Sequence, residues 1–124
     1  MKSYKKDRRL IAKFSHAFNG FVIAFRTQSS FRIHILIAAI VYTLAIALRL
    51  TVIDWILINS AIIFVLVAEL FNTAIERLCD FLDKRPRKII MIIKDISAAA
   101  VLISVLQAFI VGGYVFIPYL LRLF

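Results

Sequence analysis

Apolar positions fall into four stretches along the chain, and each predicts a helix. In the first, "DRRLIAKFSHAFNGFVIAFRTQ" (Asp7 to Gln28), Leu10, Phe14, Ala17, Phe18, Phe21 and Phe25 recur at three- and four-residue steps. That spacing builds one apolar stripe on a helix, with Arg8, Arg9 and Lys13 flanking its start. The other three stretches are long, largely apolar runs. They run over about 33–50 ("IHILIAAIVYTLAIALRL"), about 52–78 and about 96–121. About 20 apolar residues cross the hydrocarbon core as a helix. Helix is required there because lipid offers no partners to free backbone groups. Three transmembrane helices are therefore expected, preceded by an amphipathic helix over about 7–28 lying on the bilayer surface. A soluble core helix is the competing reading of the first stretch, and the adjoining spans disfavour it.

Composition agrees. The chain has 124 residues, 63% of them hydrophobic, with three glycines and two prolines. One small domain is expected over residues 1–124, and as a soluble fold it could not bury that much apolar side chain. No internal repeat or low-complexity linker interrupts it. The apolar run nearest the N-terminus begins too far in for an ordinary signal peptide, and neither end carries a lipidation motif. Cys79 is the sole cysteine, so no intrachain disulfide can form.

The net charge of +9 raises nucleic acid as a partner, but the basic residues sit outside the apolar runs, as an anionic membrane surface would require. Eight cations precede or open the first span (Lys2, Lys5, Lys6, Arg8, Arg9, Lys13, Arg26 and Arg32), and six more lie from Arg77 to Lys94. Only Arg49 and Arg122 remain for the other side. The positive-inside rule then puts the N-terminus and the second-to-third loop in the cytoplasm and the C-terminus outside, in a cytoplasmic (inner) membrane. The turn around Thr51 is very short and makes the first two spans an antiparallel hairpin.

Within the second span, "AELFNTAIERLCD" places Glu69, Asn72, Glu76 and Asp80 on one helical face. Glu69 lies about 16 Å along the helix from Asp80. With Asp80 at the cytoplasmic boundary, Glu69 sits well below the headgroups, where a carboxylate costs at least about 2.5 kcal/mol. Such a group is paired, metal-bound or functional; an inter-helix hydrogen-bond network is the bland alternative. The expected complement is "KDISAAAVL", with Lys94 and Asp95 opening the third span and small residues from Ser97 to Ala100 allowing close approach. Carboxylates, an amide and a lysine at one depth could hold a divalent metal and a polyphosphate. A site open to cytosol on one side and to lipid on the other suits phosphoryl transfer to a lipid hydroxyl. No GxxxxGK[ST] loop or glycine-rich dinucleotide turn is present. His16 and His34 lack ligand-spaced partners, and His34 reads as an interfacial hydrogen-bonder.

"AELFNTAIE", "KDISAAAVL" and "FRIH" together resemble the small prokaryotic diacylglycerol kinase and undecaprenol kinase family, from "FSHAFNG" to the third span. The resemblance implies an all-α homotrimer with active sites at subunit boundaries, using ATP and Mg2+ to phosphorylate diacylglycerol or undecaprenol at the cytoplasmic face. It implies Glu69 as the base on the lipid hydroxyl and Asn72 beside the substrate. Glu76 would bind the metal and the nucleotide, and Arg9, Lys94 and Asp95 would contact the nucleotide; Asp80 matches the family's acid at the helix end. Two positions depart from the pattern. Gln28 stands where the family has a metal-binding glutamate, and the loop "DKRPRKI" lacks the family's glutamate and histidine near the nucleotide. These changes bear on metal affinity and nucleotide preference. They also keep open a catalytically impaired relative that binds lipid or nucleotide. A small ion-coupled transporter fits less well, because its site belongs near mid-bilayer.

Overall fold

A computed structural model describes residues 2–124, with side chains from Lys6 onward. Lys2 and Lys5, counted in the charge asymmetry, have side chains outside that range. Four helices follow one another: α1 (Lys2–Thr27), α2 (Ser29–Ala47), α3 (Val52–Leu82) and α4 (Lys88–Leu123). The described residues contain no strand. The last three helices are each long and apolar enough to cross a membrane. The fold is that of an all-α membrane protein with an amphipathic helix at its N-terminal end.

Helix ends differ from the apolar limits read in the sequence. Span one begins at Ser29 and stops at Ala47, α3 runs on to Leu82, and α4 begins at Lys88, eight residues before the apolar run. Hydropathy marks the slab in contact with hydrocarbon, whereas a helix continues while its backbone bonds are met and no breaker intervenes. α3 and α4 are accordingly about 46 and 54 Å long at 1.5 Å per residue. Both exceed the hydrocarbon core of about 30 Å. Lys94 and Asp95 consequently lie nearly two turns inside α4 rather than at its start.

The α2–α3 turn is built by backbone geometry. The Arg49 N–H bonds the Ile46 carbonyl and the Leu50 N–H bonds the Ala45 carbonyl, the paired bonds of a Schellman cap. That cap needs a left-handed residue, and Arg49 takes the position with φ 54° although glycine would fit it best. Ala45 and Leu50, thus brought together, join Ile58 and Val115 in a buried core at this end of the bundle. Thr51 then caps α3 by accepting the Asp54 N–H at 3.3 Å. The Tyr119 hydroxyl ties α4 to the same turn, donating to Asp54 at 2.7 Å and accepting the Thr51 N–H at 3.1 Å.

At the other end, α1 and α2 meet in a one-residue break at Gln28, whose backbone is extended. Arg32 reaches back to bond the carbonyls of Phe25 and Arg26 at 2.9 and 3.0 Å, satisfying groups that the end of α1 leaves free. Phe31 is fully buried and meets Phe21 edge to face, with centroids 5.2 Å apart. Leu10, Ile11, Phe14 and Phe18 of α1 are exposed. An exposed apolar stripe on a helix hinged to the first span is what a bilayer surface covers.

The α3–α4 loop is organised by Asp83. Its carboxylate forms ion pairs with Arg85, at 3.1 Å, and with Arg87. The Arg85 guanidinium and its backbone N–H hold the Asp83 carboxyl below the ordinary carboxylate range. Arg85 and Arg87 are therefore engaged within their own loop.

Candidate active site

The polar row on α3 emerges gradually from the bundle. Glu69 is 3% exposed, Asn72 and Thr73 are buried, Glu76 is half-buried and Asp80 is exposed. The pitch of one helix sets this order, and the neighbours decide what each group meets. Glu69 faces α2: the Ser30 hydroxyl donates to its Oε1, and His34 Nε2 stands 3.9 Å from Oε2. Asn72 faces α4, accepting from the Ser97 hydroxyl through Oδ1. Its Nδ2 donates to Glu76 Oε1 at 3.2 Å, so one amide couples α4 to the Glu76 carboxylate. Small residues at Ser97 and beyond permit this close approach of the two helices.

Other residues singled out in the sequence are distributed around this centre. Lys94 lies beside the row but pairs with Asp80, at 2.7 Å, rather than with Glu76. Gln28 occupies the α1–α2 corner, half-buried, between two residues that grip α3: Thr27 accepts from Arg77 at 2.8 Å, and Ser30 bonds Glu69. Asp95 is exposed on α4. Arg9 is exposed on α1, about 27 Å along that helix from Thr27. Within one chain, Arg9 and Asp95 are not gathered into the cluster.

Ser30, His34 and Ser97 are the contacts that sequence reasoning did not assign. Nothing in "QSSFR" marks Ser30, and Ser97 was read only as a small residue. His34 has a second feature. It lines an apolar cavity of about 260 Å³ between α2, α3 and α4, together with residues such as Val41, Val65, Ala108 and Phe109. An apolar chamber thus ends in a half-buried imidazole that adjoins a buried carboxylate. Among the described residues, no three His, Cys, Asp or Glu side chains converge as a metal cage.

Residues 15–116 match the family described as prokaryotic diacylglycerol kinase. The chain belongs to this family. Its relatives include the diacylglycerol kinase of Synechocystis sp., 36% identical over 115 residues, which cover 92% of this chain and 66% of that protein. The undecaprenol kinase of Bacillus subtilis is 30% identical over 110 residues, 89% of either chain. The diacylglycerol kinase of Haemophilus influenzae is 31% identical over 104 residues, 84% of this chain and 88% of the relative. The chain thus spans about two thirds of the length of the Synechocystis relative. Membership bears out the resemblance drawn from the α3 and α4 motifs. The family's matched segment contains the whole polar row and its neighbours on α2 and α4, while Arg9 lies outside it.

Proposed function

We propose that the protein transfers the γ-phosphoryl group of ATP to the hydroxyl of a membrane lipid at the cytoplasmic face. The observation that carries this reading is Glu69: a buried carboxylate held by Ser30, with an apolar chamber reaching the neighbouring His34. A lipid tail in the chamber would bring its hydroxyl toward the carboxylate. Glu69 is then the base that accepts the hydroxyl proton as the oxygen attacks phosphorus. Asn72 holds Glu76 in place and borders the substrate. The names of the relatives, kinases of diacylglycerol and of undecaprenol, support a lipid alcohol as acceptor.

Magnesium fits the donor set in one respect. It takes few protein ligands and completes its shell with phosphate oxygens and water. Glu76 offers such a carboxylate, and Gln28 offers a neutral amide oxygen at the adjacent corner. Bound there, the ion would neutralise charge on the transferring phosphates. Lys94, Asp95 and Arg9 are assigned to the nucleotide. The exposure of Asp95, and the separation of Arg9 from the cluster, leave both free to serve a neighbouring subunit's site in the homotrimer that the family resemblance implies. The spans expose most of their apolar surface, which a bilayer and partner subunits would share.

Incubation of the purified protein with radiolabelled ATP and either diacylglycerol or undecaprenol tests the reading. Label is expected in one lipid phosphate, and transfer to neither overturns it.

Gln28 gives a sharper test. It brings an oxygen but no charge, so Glu76 and Gln28 together supply one formal negative charge. Gln28→Glu adds a second and is expected to lower the magnesium concentration needed for half-maximal activity. A titration with the same or a higher requirement would remove Gln28 from the metal.

The charge asymmetry also assigns an orientation, with the N-terminus and the α3–α4 loop cytoplasmic. With Cys79 replaced, a cysteine at Lys84 is expected to react only with reagents that reach the cytosol. A cysteine at Leu123 is expected to react from outside. Reversed labelling would invert the assignment.

A further inference from the structure

Glu69 as a base leaves a proton without an exit. The carboxylate is 3% exposed, so once it has taken the lipid proton it has almost no water to which it can return it. Each neighbour can be examined as the next carrier. Ser30 donates to Oε1, and a hydroxyl does not titrate near neutral pH. The amide of Asn72 points to Glu76 and Ser97. Lys94 is occupied by Asp80. His34 is different: its Nε2 is 3.9 Å from Oε2, the carboxylate oxygen that Ser30 leaves open. Its side chain is 20% exposed, against 3% for Glu69, so the imidazole lies between the buried acid and the outside.

Histidine is the side chain whose ordinary pKa lets it take up and release a proton near neutral pH. The surroundings of His34 leave that task uncluttered. From α3 the facing titratable group is Glu69, and from α4 the wall near His34 is apolar, through Val105, Ala108 and Phe109. Arg32, on the same helix, is turned to the carbonyls of Phe25 and Arg26 at the end of α1. Arg77 on α3 is turned to Thr27 of α1.

We propose that His34 is the proton relay of Glu69, a positioning and proton-handling residue that resets the base after each turnover. This rests on the lipid-kinase reading above. In the step, the lipid O–H bond breaks as its oxygen bonds the γ-phosphorus, and the bond from that phosphorus to the ADP oxygen breaks. The hydroxyl proton passes to Glu69 and then, once the 3.9 Å gap closes to hydrogen-bond distance, from Oε2 to Nε2 of neutral His34. The resulting imidazolium gives one proton to solvent on its exposed side. Glu69 is again a carboxylate and His34 again neutral. The products are the lipid phosphate, ADP and one proton. Protonated His34 cannot accept, so the relay stalls when the imidazole already carries its second proton.

The test is kcat against pH at saturating ATP for wild type, His34→Gln and His34→Asn, with circular dichroism and melting temperature recorded for each. Wild type is expected to lose rate as pH falls. His34→Gln is expected to fall roughly 10²-fold in kcat, with KM for lipid changed less than about twofold, and to keep only the acid dependence that belongs to Glu69 as the base. Added imidazole is expected to restore part of the rate in His34→Asn, whose shorter side chain leaves room for it. A wild-type rate that stays flat as pH falls overturns the relay without recourse to any variant. So does a His34→Gln enzyme whose kcat stays within a few-fold of wild type. A rise in lipid KM alone also overturns it, since that effect belongs to a cavity wall. Absence of lipid phosphorylation in wild type would instead fail the kinase reading, and is distinguishable from all of these.

Discussion

Replacement of Glu69 by glutamine is expected to lower kcat for lipid phosphorylation roughly 10²- to 10⁴-fold, the usual contribution of a positioned general base. Glutamine keeps the size of the side chain and its carbonyl oxygen still accepts from the Ser30 hydroxyl. The bundle therefore has no reason to come apart. What disappears is the acceptor of the lipid proton, and with it the charge beside His34. Because the lost interaction belongs to the transition state, kcat and kcat/KM should fall together while KM for lipid and for ATP changes little. Steady-state kinetics on detergent-solubilised protein, with size-exclusion profile and melting temperature as controls, make the comparison. Turnover within a few-fold of wild type would remove Glu69 from the chemistry and leave it as a buried hydrogen-bond acceptor. Loss of the assembly together with activity would make its role structural.

The second large effect is expected at Asn72. Asn72→Leu conserves approximate volume but deletes two bonds at once: the acceptor for the Ser97 hydroxyl and the donor to Glu76 Oε1. Ser97 is then a buried hydroxyl without its partner, and Glu76 loses the group that orients it. Inter-helix polar bonds in membranes average below about 1 kcal/mol and reach almost 2. A stability loss of about 1 kcal/mol is therefore expected, read as a lower melting temperature. Activity is expected to suffer more, roughly 10²-fold, because a displacement near 1 Å at a positioning group has that order of effect. The loss should be accompanied by a higher magnesium requirement, since Glu76 is the carboxylate set adrift. Ser97→Ala in the Asn72→Leu background should cost little further stability, because its partner is already gone. If the two substitutions add in full, Asn72 and Ser97 are not coupled, and the link from α4 through the amide to Glu76 fails.

The sequence carried most of the architecture by itself. Runs of apolar residues long enough to cross a bilayer, with no room to bury them in a soluble fold, determine three spans whatever their packing. The α1 stripe follows from three- and four-residue spacing in the same way. The rotation of the polar row was equally legible, because positions 69, 72, 76 and 80 share a face on any regular α-helix. Helix ends were not. An apolar window sees where hydrocarbon stops, and it missed the turns of α3 and α4 that continue beyond it.

Only the tertiary structure decided which neighbour each member of the row meets. Periodicity gives the angle of a side chain about its own axis, and it is silent on the rotation, depth and tilt of the next helix. Glu69 therefore finds Ser30 and His34 on α2, while Asn72, one turn on, finds Ser97 on α4. Lys94, expected at the depth of Glu76 and Asp80, lies there and bonds Asp80. Gln28 was noticed as a departure from a family pattern. Its place at the corner between Thr27 and Ser30 comes from a one-residue break in the chain between α1 and α2, whose flanking residues both bond α3. His34 shows the division most clearly. As a letter in "FRIH" it is an interfacial imidazole, and only the packing of α2 on α3 turns it toward a buried carboxylate.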